Sequence, residues 1–145
     1  MIIVVATDEE YIMAKERFAK SKIIKTGVGG LNIIESLKDV DKNEEILNFG
    51  HAGSNNLPIG TEVYVKDCRL YHPNVEYDES TYHLGGTIDC YTSNDFVLST
   101  TITEPCVFDM ELAYIMALGF KNVTSLKIVS DNLSLHEYNE TISHI

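Results

Sequence analysis

Residues 2–10 read IIVVATDEE. A short apolar run, Ile2 to Ala6, stops at a threonine and three acids. A run of this length, bounded by polar residues, predicts a strand buried on both faces. Thr7 or Asp8 then suits the N-cap of a helix over 8–20, with Glu9 and Glu10 in its first turn. The same step from apolar strand to polar rim recurs along the chain. KIIKT (22–26) runs into Gly27-Val28-Gly29-Gly30 and a helix, LNIIESL (31–37). EEILNFG (44–50) reads as a strand and turn, followed by His51-Ala52-Gly53-Ser54. TSLKIVS (124–130) runs into Asp131-Asn132 and a helix over 134–144.

The middle of the chain is predicted from the same signals. GTEVYVKDCRLY (60–71) alternates well enough for a long strand. Residues 72–86 are polar and Tyr-rich and read as a loop. IDCYTS (88–93) is a strand, and 109–119 a helix that Gly119 ends. Strands alternating with helices imply one α/β domain over 1–145, three layers (α/β/α) around a mainly parallel or mixed sheet. In such sheets a ligand binds beyond the carboxyl ends of the strands. Here that rim gathers carboxylates and glycines, and few bases.

Charge narrows the partners. Twenty-two acids against 11 Lys and Arg leave a formal charge of −11. Such a protein repels nucleic acid and anionic lipid on average. Arg17 and Arg69 are the only arginines, which disfavours a bidentate phosphate clamp. No apolar run approaches the ~18 residues of a membrane span. The N-terminus lacks the basic region and cleavage site of a signal peptide. Cys68, Cys90 and Cys106 lack metal-ligand spacing and read as buried reduced thiols of a cytoplasmic protein.

Single motifs do not decide the chemistry. TGVGG (26–30) is either a ligand loop or a tight strand-to-helix turn. Asp131 after VS is either a proton donor at a strand end or a helix cap. Glu111, in VFDMELAYIM (107–116), is either a site residue or a first-turn acid with Asp109 as N-cap.

Their order is more informative. A strand into Glu9-Glu10, then TGVGG, NFGHAGS, PIGTEVYV, YTSNDFV, FDMELA and IVSDN resembles the nucleoside phosphorylase/nucleosidase superfamily. The similarity is strongest to the methylthioadenosine/S-adenosylhomocysteine nucleosidases, in a shortened form, and runs from Met1 to about Asn132. Met110-Glu111 and Ser130-Asp131 are its most specific parts. The resemblance implies that fold, a purine nucleoside substrate, and hydrolysis of its N-glycosidic bond. By the same resemblance Asp131 protonates the purine, Glu10 positions the attacking water and Glu111 holds the ribose hydroxyls. Met110 packs on the sugar, Phe96 stacks on the base and the Val97 backbone reads its edge. Ser130, His51, Ala52 and Gly53 complete the pocket, His51 standing where relatives usually carry Ser or Thr. No cofactor and no metal are implied. A homodimer is, with Tyr77 or Tyr82 closing the partner's pocket. A catalytically idle nucleoside-binding or oligomerisation module and a purine nucleoside phosphorylase are the alternative readings.

Overall fold

A computed structural model describes residues 1–72 and 81–143. Strand β1 (Ile2–Val5) lies between β2 (Lys22–Lys25) and β3 (Glu45–Ser54), parallel to both. Its alternating side chains serve two cores. Ile2 and Val4 pack with Ile33, Leu37, Ile46, Ile115 and Phe120, under helices α2 (Gly30–Leu37) and α3 (Leu112–Ala117). Ile3 and Val5 pack with Ala14, Leu47, Phe49 and Leu126, under helix α1 (Asp8–Arg17). Burial on both faces is why residues 2–5 are continuously apolar. Each such side chain contributes roughly 1.5–3 kcal/mol when removed from water.

The remaining strands are β4 (Glu62–Leu70), β5 (Tyr82–His83), β6 (Ile88–Thr92), β7 (Cys106–Asp109) and β8 (Asn122–Asp131). The sheet runs β2-β1-β3-β7-β6-β4-β5, and β8 bridges β3 and β4. A closed circuit β3–β7–β6–β4–β8 follows. The pairings β3/β7, β4/β5 and β4/β8 are antiparallel and the others parallel, so the sheet is mixed. Helix α4 (Leu135–Ser143) follows β8. No helix among the described residues is long and apolar enough to cross a membrane. The three cysteines are buried and free.

Four expectations need correction. The predicted turn at Gly50 does not exist: β3 continues to Ser54, because β8 pairs with it from Glu45 to Gly53. Its glycines serve close approach. A Cβ on Gly50 would stand 2.6 Å from Glu10 Oε2, and one on Gly53 3.0 Å from Asp131 Oδ2. The helix expected over 109–119 is shorter, because residues 106–109 form β7, buried at every position between β6 and β3. Gly119, at φ 91°, does follow its end. Finally, β8 reaches Asp131, so Asp131 sits within the strand, with Ser130, and not beyond it. Helix α1 also stops at Arg17 rather than at 20.

Candidate active site

Glu10 is placed by its own helix. Thr7 caps α1 by accepting the Glu10 N–H (3.2 Å). Glu10 Oε1 in return accepts the N–H groups of Ala6 (2.9 Å) and Thr7 (3.3 Å). Oε2 reaches across to β3 and accepts the His51 N–H (2.8 Å). Burial alone would raise this carboxyl. The His51 ring and N–H, the Ala6 N–H and the Lys127 charge outweigh it and hold Glu10 below its ordinary value.

Glu111 sits at the N-cap position of α3, yet caps nothing there. Its Oε2 instead accepts the Gly29 N–H at 2.9 Å. Gly29 has φ 92°, a conformation glycine adopts without strain, and this turns its N–H away from α2 toward the carboxylate. TGVGG is thus the tight turn, with one N–H committed to Glu111. Burial and the nearby Asp109 charge raise Glu111 to about 7, against the pull of Lys127 and Gly29.

Asp131 is clamped at the end of β8. Ser130 Oγ donates to its Oδ1 (2.8 Å) and the Leu133 N–H to its Oδ2 (2.9 Å). Leu133 adopts φ 64°, a left-handed conformation that a branched residue holds only under constraint. The strained turn folds the chain back onto the carboxylate. Burial raises the Asp131 carboxyl and the Glu137 charge adds to that, while Ser130 and Leu133 oppose it.

These three carboxylates line one cleft of about 240 Å³. It is a volume for one small molecule, not a polymer. His51, Ala52, Gly53, Phe96, Met110 and Ser130 line it too. Val97 does not. It lines a small adjoining pocket of about 30 Å³ that shares Gly53, Phe96, Met110 and Asp131 with the cleft. Tyr82 is half-buried and packs against the core around Cys68 and Cys90. Tyr77 lies outside the described residues.

Two features escaped the sequence reading. Tyr138 of α4 lines the cleft and meets Phe96 edge-on, centroids 5.5 Å apart. At the wall of the cleft, which Asp109 also lines, Lys127 Nζ and Asp109 Oδ2 form a buried pair at 3.0 Å. Asp109 also accepts from Thr92, from Cys90 Sγ (3.3 Å) and from the Leu112 N–H (2.8 Å). It thus accepts the first N–H of α3 although Glu111, and not Asp109, holds the N-cap position, and its ion pair was not expected. Burial would raise Asp109, but Lys127 with these donors holds it below the carboxylate range. Burial would likewise lower Lys127, and Asp109 keeps it charged and raised. The signal in the sequence was a lysine inside the apolar strand TSLKIVS. Among the described residues, no group of three or more His, Cys, Asp or Glu side chains is placed to hold a metal ion.

No protein-family profile matches the chain. No curated protein matches it by sequence. Solved structures do match it. One is the 5′-methylthioadenosine/S-adenosylhomocysteine nucleosidase of Helicobacter pylori (TM-score 0.76, 14% identity), covering 99% of this chain and 90% of that one. Another is the futalosine hydrolase of Helicobacter pylori (0.74, 15%), covering 99% and 88%. A third is the methylthioadenosine/S-adenosylhomocysteine nucleosidase of Colwellia psychrerythraea in complex with adenine (0.76, 16%), covering 97% and 87%. The chain has the nucleoside phosphorylase-like fold. At these identities the likeness concerns the fold, and the chemistry has to be argued from the cleft.

In this nucleoside phosphorylase-like domain, the raised Glu111 makes a prediction. A carboxyl raised in the folded state binds its proton more tightly there than in the unfolded chain. Its contribution to stability is therefore full below the ordinary 4.5 and is lost as pH rises through about 7. Glu111→Gln should flatten the fall in stability across that window, read as Tm between pH 4.5 and 8. The same variant should bind ribosides at least ~10-fold more weakly, if the loss of a charged hydrogen bond is worth about 1.5 kcal/mol or more. A first-turn acid with no ligand role would leave binding unchanged.

Proposed function

We propose that this protein hydrolyses the N-glycosidic bond of an adenine nucleoside such as 5′-methylthioadenosine or S-adenosylhomocysteine. The observation that carries the reading is the convergence of Glu10, Glu111 and Asp131, from three separate segments, on one small-molecule cleft. Breaking a glycosidic bond to a purine needs a proton on the base and negative charge near the sugar cation. Asp131, raised by burial, is suited to keep and deliver the proton. Glu111 accepts hydroxyls of the ribose, with Met110 beneath the ring and Phe96 on the base. Glu10, held ionised, favours the developing positive charge. Solved proteins of this fold described as nucleosidases, one of them with adenine bound, support the reading. By the same analogy we propose a cytoplasmic homodimer.

Water is the better nucleophile for this cleft than phosphate. Among the described residues no arginine or lysine lines it, and Lys127 is committed to Asp109. An anion entering would meet the carboxyl groups of Glu10, Asp109, Glu111 and Asp131, and no free cation among the described residues. The test is a panel of purine nucleosides scored for free base, with and without inorganic phosphate. We expect base release at equal rates in both. Strict dependence on phosphate would mark a phosphorylase, and binding of adenine without release would mark an idle binding module.

A further inference from the structure

Among the described residues, only His51 Nδ1 and Asp89 Oδ1 are buried side-chain atoms without a hydrogen-bond partner. Asp89 is not among the cleft residues; His51 is. The His51 side chain is 4% exposed, and its Nδ1 lies 3.6 Å from Glu10 Oε2, beyond hydrogen-bond length but within ion-pair reach. A histidine serving only the core would have satisfied that atom. Glu10, for its part, accepts three N–H groups, from Ala6, Thr7 and His51. A carboxylate has about four acceptor sites, so one remains, and the buried, unpartnered His51 Nδ1 lies 3.6 Å from Oε2. Two facing lone pairs would repel, so the proton belongs on Nδ1. Nε2 is then the bare nitrogen of the ring, and it is farther from Glu10 than Nδ1 is.

We propose that His51 is the general base of the reaction and that Glu10 is its positioning residue, fixing the Nδ1–H tautomer so that Nε2 accepts the proton of the attacking water. The inference rests on the hydrolase reading above and deepens it. A separation of 3.6 Å is of the kind that catalytic hydrogen bonds of unliganded enzymes commonly show before a bound substrate tightens them. The step balances. The water oxygen bonds to C1′ of the sugar and gives its proton to His51 Nε2. The C1′–N bond breaks with its electron pair going to the purine, which takes the Asp131 proton. After product leaves, the imidazolium loses its proton to solvent and Asp131 regains one. The arrangement has the logic of a carboxylate that orients an imidazole without itself accepting the proton.

The test has two arms. In the first, base release is measured for wild type, His51→Gln and His51→Asn, with Tm as a control for folding. His51→Gln keeps a polar atom but cannot act as a base, so kcat should fall at least ~100-fold with KM within about threefold, the usual size of a lost general base. In the second, nitrogen-15 NMR of the unliganded wild type reads the His51 tautomer, which needs neither a variant nor turnover. We expect Nδ1–H, and in Glu10→Gln a mixture with Nε2–H. A kcat for His51→Gln within threefold of wild type, or an Nε2–H tautomer in the wild type, overturns the assignment while leaving hydrolysis intact. A wild type that releases no base from any nucleoside overturns the hydrolase reading itself and this role with it.

Discussion

Asp131→Asn should abolish nucleoside turnover and leave the fold standing. The amide can still accept the Leu133 N–H through its oxygen and meet Ser130 Oγ through its nitrogen, so both clamps on residue 131 survive. What it lacks is an acidic proton. The folded protein raises the Asp131 carboxyl by burying it. That is the environment a general acid needs, since free Asp, at about 3.9, has lost its proton by neutral pH. Removing such an acid typically lowers the rate by ~10²–10⁴. Base release falling by that factor, with adenine still raising Tm, is the expected result. Activity close to wild type would show that the leaving group finds its proton elsewhere. The strained Leu133 turn adds a second reading of the same site. It exists to hold a carboxyl-sized acceptor, so Asp131→Ala should cost stability where the amide does not.

Lys127→Met should be among the most destabilising single substitutions in the chain. It leaves Asp109 ionised, buried and without its cation, with only Thr92, Cys90 and the Leu112 N–H in support. Breaking a buried pair from one side costs about 3–5 kcal/mol, because an uncompensated charge stays behind. Removing both charges, in Asp109→Asn with Lys127→Met, should recover most of that loss. Urea unfolding of the two singles and the double closes the cycle. Simple additivity would refute the pairing. The substitution also reaches the cleft: Lys127 pulls Glu111 down and Asp109 pushes it up. Without the lysine, Glu111 should titrate still higher, and ribose binding should weaken near neutral pH.

Much of this was written in the chain. Ile2–Val5 is apolar at every position, which only a strand covered on both faces requires, and the structure covers both. Thr7 caps the helix, one of the two residues expected to, with Glu10 in its first turn as expected. The candidate residues, from Glu10 to Asp131, stand at the ends of elements and meet in one cleft, Val97 excepted. Other features were decided only by tertiary contact. Gly50 reads locally as the turn that ends a strand, and with Gly53 as a place where something comes close to the backbone. They are strand residues because β8 pairs alongside and because two carboxylates occupy the space their side chains would fill. Residues 106–109 merge in sequence with the apolar helix after them, and no periodicity separates four strand residues from six helical ones. Placement between β6 and β3 separates them. Lys127 and Asp109 lie on different strands, so each alone reads as an exception to its surroundings. A sequence read along one dimension shows which residues carry charge. Which charges neutralise one another, and which stay free to act on a substrate, depends on distances that only the folded sheet sets.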